Sequence, residues 1–140
     1  MTKLDKDLQI LLHIIKYCER IKKVAPIFEN DFNNFIADKN FVYLDSCSFS
    51  IFQIGELVGK LSDDLKNRHK EIPWQEIKAT RNVIVHNYDK ISFQTLWGVI
   101  QNDTEELDNN CRKILEIYDP NYQEKLEKEL KFLQNKRGVY

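Results

Sequence analysis

The chain is 140 residues long, 42% hydrophobic and 31% charged, with a formal net charge of -1. That length supports one domain with a buried core but not two of ordinary size, and the near-neutral balance excludes a chain coated in basic residues. Four glycines and three prolines leave few interruptions to regular structure, which favours long helices.

The longest apolar run near the start, Ile10 to Ile15, is broken by His13 and is too short to span a bilayer, so a cytoplasmic location and no membrane partner are expected. Cys18, Cys47 and Cys111 are odd in number and far apart, so they read as small buried hydrophobes rather than disulfides or metal ligands. No convincing metal cluster and no cofactor motif is present in the sequence.

Thr2 followed by Asp5 resembles a capping box, and Leu4, Leu8, Leu11, Ile15 and Cys18 continue at helical spacing. A second stripe, Ile10, Ile14, Tyr17, Ile21 and Val24, widens the apolar arc, and Pro26 marks the end. His13 within it reads as a packing residue. After a short segment at Asp31 to Ala37, a second long helix is expected from Phe41 through Phe52, Ile54, Val58, Leu61 and Leu65. Gly55 and Gly59 within it offer small surfaces for close approach by another helix, although glycine is unfavourable there.

The sequence Lys66 to Lys70 reads as a basic loop, and Pro73 then suits the first turn of a third helix. Trp74, Ile77, Arg81, Ile84 and Tyr88 form one stripe on it, and Asn82 and His86 share a second face. Val83-Ile84-Val85 has high β propensity, so a strand from Asn82 to Tyr88 competes locally; the helical flanks favour the helix. Ser92 caps a fourth helix carrying Leu96, Trp97, Ile100, Leu107, Cys111, Ile114 and Leu115, which Asp119-Pro120 ends. Tyr122, Leu126, Leu130 and Leu133 then line a short amphipathic tail helix, which could cover its own bundle, extend an interface or bind a partner. The expected architecture is all-α, an antiparallel bundle of four to five helices, with a helical domain over residues 1–119 and a tail over 120–140.

Arg81, His86 and Tyr88 satisfy R-x-x-x-x-H-x-Y, with Asn82 directly after the arginine. Together with the runs QIGELVGKLSDDL and EIPWQEIKATRNVIVHNY, this resembles the HepT-like family of HEPN-domain toxins over roughly residues 3 to 118. The resemblance implies an all-helical HEPN fold that dimerises, so that two R-x-x-x-x-H motifs face one cleft and form a composite ribonuclease site. It further implies a type VII toxin–antitoxin pair, in which a minimal nucleotidyltransferase antitoxin silences the toxin by adding AMP to the motif tyrosine, here Tyr88.

The residue chemistry suits that role in its own right. An RNA 2′-hydroxyl can attack the neighbouring phosphate once a base removes its proton, and His86 is the proton-transfer candidate. Arg81 presents a permanent forked charge to phosphoryl oxygens. Asn82 and Tyr88 are supporting polar groups, and Glu56 is a minor site candidate. Lys66, Arg68, Lys70 and Lys78, with His69 among them, could form a track for an RNA backbone or an ordinary solvated loop. A structural reading competes: Arg81 pairing with Glu56 or Asp89, His86 capping a helix end, Tyr88 at an interface. So does a non-catalytic HEPN module that presents nucleotide or substrate to a nucleotidyltransferase.

Overall fold

The computed structural model describes residues 1–39, 41–87 and 92–138. Helix α1 (Lys3–Lys22) begins with the expected capping box: the Asp5 amide donates to the Thr2 hydroxyl at 3.1 Å, and the Thr2 amide donates to the Asp5 carboxylate at 3.2 Å. Pro26 falls inside a short helix, α2 (Val24–Ile27), instead of ending α1 directly. The segment at Asp31 to Ala37 is itself helical, α3 (Phe32–Ala37), because the Asp31 carboxylate caps the Asn33 amide at 2.8 Å.

Helix α4 (Val42–Lys60) is followed by α5 (Asp63–Arg68), α6 (Trp74–Asn87) and α7 (Phe93–Gly98). The expected fourth helix is α7 joined through a π-helical turn, Val99–Asp103, to α8 (Thr104–Tyr118). There the Thr104 hydroxyl donates to the Val99 carbonyl at 2.6 Å, meeting an acceptor that the wider turn displaces. Helix α9 (Tyr122–Gly138) is the last described element.

All of these elements are helical, as expected, and no strand occurs among the described residues. In particular, Asn82 to Asn87 continues α6, so the helical flanks and the buried Ile84 override the β propensity of the three branched residues. Helix α4 lies between α1 and α6, while α8 packs on the other side of α1, and α9 also rests on α1. Tyr122 and Leu126 are buried, so the first half of α9 covers this chain's own bundle. No helix among the described residues is long and apolar enough to cross a membrane.

The core contains Leu11, Ile14, Ile15, Ile54, Val58, Leu96, Ile114 and Leu115, and the three cysteines are free and buried within it. Burial pushes their thiols up, Cys47 to about 12, which keeps them protonated and inert near neutrality. Two polar clamps fix α1. The buried Asp7 carboxylate accepts from the Ser62 amide at 2.9 Å and from its hydroxyl, tying the start of α1 to the end of α4. The fully buried Asp108 accepts from Lys22 at 2.9 Å and from Arg112 at 2.7 Å, tying α1 to α8.

The basic stretch is not a loop. Ser62 caps α5 through the Leu65 amide, Leu65 is buried, and Lys66 and Arg68 lie on the helix. His69 turns inward: it is buried, its Nε2 lies 3.3 Å from the Tyr118 hydroxyl, and its carbonyl accepts from the Trp74 indole N–H at 3.1 Å. It therefore cannot belong to a surface track.

Candidate functional site

Helix α6 is set by its apolar stripe. Trp74 and Ile84 are buried and Ile77 is partly buried, so the helix presents Lys78, Asn82, Val83, Val85 and His86 to solvent. Arg81 sits at the border between these faces, half-buried against α4.

The decisive neighbour is Gly55. A Cβ built there would lie 2.2 Å from the Arg81 Cβ and 2.5 Å from its Cγ, so α6 approaches α4 along a line that only glycine leaves open. Gly59, expected to serve similarly, has nothing within 4 Å of such a Cβ and is exposed; close packing uses one glycine of the pair.

The guanidinium of Arg81 emerges from this contact with three restraints. Its Nε donates to the Glu56 carboxylate at 2.5 Å, Nη1 donates to the Asn82 side-chain carbonyl at 2.7 Å, and the group lies 5.4 Å from the centre of the Phe52 ring. Those hydrogen bonds use two of the five N–H donors an arginine carries, and the geometry orients the fork. Glu56 and Asn82, singled out as supporting residues from sequence, are thus brought into contact with Arg81. The part of Phe52 was not legible, because an aromatic residue in an apolar stripe reads as core.

His86 is exposed on the same helix. Five residues separate it from Arg81, a rise of about 7.5 Å and a rotation of about 140° on α-helical geometry. Arg81 leans toward α4 while His86 is exposed to solvent, so the two side chains leave α6 in different directions. Asn82 and His86 share the exposed face as expected, and Lys78 lies one turn before Asn82 on it. Lys66, Arg68 and Lys70 cluster apart from them, on α5 and the turn that follows. Tyr88, and Asp89 as an alternative partner for Arg81, lie outside the described residues.

A cavity of about 290 Å³ opens elsewhere, between α1, α4, α6 and α8, and includes Ile21, Ile54, Ile77 and Leu107 in its lining. None of Glu56, Arg81, Asn82 or His86 lines it. Among the described residues no three His, Cys, Asp or Glu side chains form a group able to hold a metal ion.

Residues 14–114 match the family model described as "Ribonuclease HepT-like". A protein of Caldanaerobacter subterraneus named "Putative RNase" is 30% identical over 107 residues, covering 76% of this chain and 91% of the relative. A "Probable ribonuclease HepT" of Thermococcus cleftensis is 26% identical over 102 residues, covering 70% and 92%. A "Putative RNase" of Methanocaldococcus jannaschii is 29% identical over 114 residues, covering 80% and 88%. No solved structure matches the chain.

Proposed function

Because the chain belongs to the ribonuclease HepT-like family, we propose that it is a metal-independent endoribonuclease whose active site is completed by a second copy of the chain. The observation that carries this reading is the contrast on α6: Arg81 is held as an oriented anion-binding fork, while His86, five residues on, is exposed to solvent. One group is oriented to meet a phosphate and the other is open to an approaching substrate.

The reaction follows from those groups. The 2′-oxygen of RNA attacks the adjacent phosphorus as His86 removes its proton; the bond to the 5′-oxygen breaks, and that oxygen takes up a proton as it leaves. The products are a 2′,3′-cyclic phosphate and a 5′-hydroxyl. A symmetric pair of chains supplies two imidazoles, one as base and one as acid. The unused N–H donors of Arg81 meet the phosphoryl oxygens as negative charge spreads over them. The exposure of Val83 (40%) and Val85 (44%) beside the motif suits burial against a partner chain.

In this reading the enzyme is the toxin of a toxin–antitoxin pair acting on cellular RNA such as tRNA or mRNA. A minimal nucleotidyltransferase antitoxin attaches AMP to Tyr88, two residues beyond His86, bringing phosphate charge and bulk to a surface meant for RNA phosphate. Purified unmodified protein is expected to cleave RNA in EDTA, and His86→Ala to abolish cleavage. Normal cleavage by His86→Ala, or an inert wild type of verified unmodified mass, would sink the catalytic assignment. Nucleotide binding without cleavage would support the presenting module. Intact-mass measurement after expression with and without the nucleotidyltransferase tests the regulation; the expected result is an AMP increment localised to Tyr88.

A further inference from the structure

Phe49 is 55% exposed in the middle of α4, a helix that buries Cys47, Ile51, Ile54 and Val58 and packs against α1 and α6. A half-exposed phenylalanine there forgoes burial, which directs attention to its surroundings. The Tyr17 ring of α1 stands edge-on to it, with centroids 6.5 Å apart. Tyr17 in turn holds two cations, the Lys16 ammonium and the Arg20 guanidinium, each 5.1 Å from its ring centre. Three residues beyond Phe49, Phe52 lies under the Arg81 guanidinium. Two aromatic groups flanked by cations thus lie along α4: Phe52 with Arg81, and, three residues before Phe52, Phe49 with Tyr17, Lys16 and Arg20.

We propose that Phe49 and Tyr17, flanked by Lys16 and Arg20, form a stacking platform for an unpaired base of single-stranded RNA, next to the scissile phosphate held at Arg81. This rests on the ribonuclease reading above and names the residues that would seat the substrate. An exposed ring, backed by a partly buried one and flanked by cations, is a composition that binds single strands: every base offers a π-face, and the cations neutralise the backbone. A surface for a second copy would favour rings without lysine, which protein interfaces tend to exclude. Glu129 of α9 is the acidic group whose field reaches Lys16, and its carboxylate also lies 3.7 Å from the His13 ring. The platform differs from the basic stretch at Lys66 to Lys70: Phe49 lies three residues from Phe52, the ring under Arg81, on the same helix, and the platform contains aromatic rings.

The test uses the full chain and a short 2′-O-methyl RNA oligonucleotide of mixed sequence, which lacks the attacking hydroxyl and so reports binding alone. Trp74 and Trp97 are 7% and 6% exposed, so in Phe49→Trp the new indole is the tryptophan that reports on surface contacts. Titration with the oligonucleotide is expected to quench its fluorescence. Phe49→Ala is expected to weaken binding about tenfold, as measured by anisotropy, with the slope of log affinity against log salt unchanged. Lys16→Gln and Arg20→Gln are each expected to reduce that slope by about 0.7. Unquenched Phe49→Trp, or Phe49→Ala that binds like wild type, overturns the platform. So does a Phe49→Ala that sediments as a monomer where wild type is a dimer, which would assign Phe49 to contact between copies. If wild type cleaves RNA while these variants bind and cleave normally, the platform alone falls; if wild type neither binds nor cleaves RNA, the ribonuclease reading falls with it.

Discussion

Replacing Gly55 by alanine puts opposing effects in one experiment. Within a helix the change is favourable by about 1 kcal/mol, because alanine loses less backbone freedom on folding. At this position the added methyl meets the Arg81 Cβ at 2.2 Å, and a Cβ cannot be moved aside by rotating χ1. Restoring ordinary contact at 3.4 Å requires α6 to retreat from α4 by about 1.2 Å. Overpacking of this kind costs roughly 1–3 kcal/mol, so the net loss of stability should be roughly 0–2 kcal/mol. The effect on chemistry should be larger. Glu56 adjoins Gly55 and orients the Arg81 fork, and a displacement of about 1 Å in a catalytic group can cost on the order of a hundredfold in rate. Gly59→Ala is the internal control: nothing stands near its Cβ, so it should raise stability by about 1 kcal/mol, or roughly 3 °C in Tm for a chain of this size, without affecting cleavage. Urea unfolding and RNA cleavage rates measured on both variants decide the matter. A Gly55→Ala protein that gains stability as Gly59→Ala does, and cleaves at the wild-type rate, would refute the argument that the α4–α6 approach sets Arg81.

Glu56→Gln retains the shape of the side chain but removes the charge. The pair with Arg81 is partly exposed, at 25% and 39%, so stability should change by less than about 1 kcal/mol. Cleavage kinetics should instead show kcat/KM falling about tenfold, on the scale of one charge-assisted hydrogen bond. A gain in rate would mean that Glu56 restrains Arg81 rather than orienting it. Asp108→Asn should cost about 3 kcal/mol near neutral pH, because Lys22 and Arg112 would lose the buried carboxylate that faces both. Burial opposes ionisation of Asp108, but hydrogen bonds from Arg112 and Lys22 outweigh it and hold its carboxyl below the usual carboxylate range. Its contribution is therefore fully present above that range and is lost as pH falls through the lower folded value. Urea unfolding across the acid range should show the wild type converging on Asp108→Asn; a constant gap down to the most acid pH would contradict this.

Much of the chain was legible because its signals are local. Thr2 with Asp5, Pro73 and Ser92 each mark a helix start, since a cap acts within three or four residues of itself. Asp31 escaped notice as a cap because the helix it opens is only six residues long, too short for apolar periodicity to show. The basic stretch misled for a related reason: charge identity does not reveal that Ser62 has already started a helix, nor that His69 meets Tyr118 from far along the chain.

By itself the sequence determined that the protein is helical, where its long helices begin, and that Arg81 and His86 occupy different faces of one of them, because periodicity and capping depend on neighbours in the chain. Only the tertiary structure decided that Glu56 and Asn82 hold Arg81, that Gly55 and not Gly59 admits α6, and that Phe49 stands exposed beside Tyr17. Except for Asn82, these contacts join residues on different helices. They exist only once burial of the apolar stripes has set the distance and rotation between helices, and no local pattern contains that information.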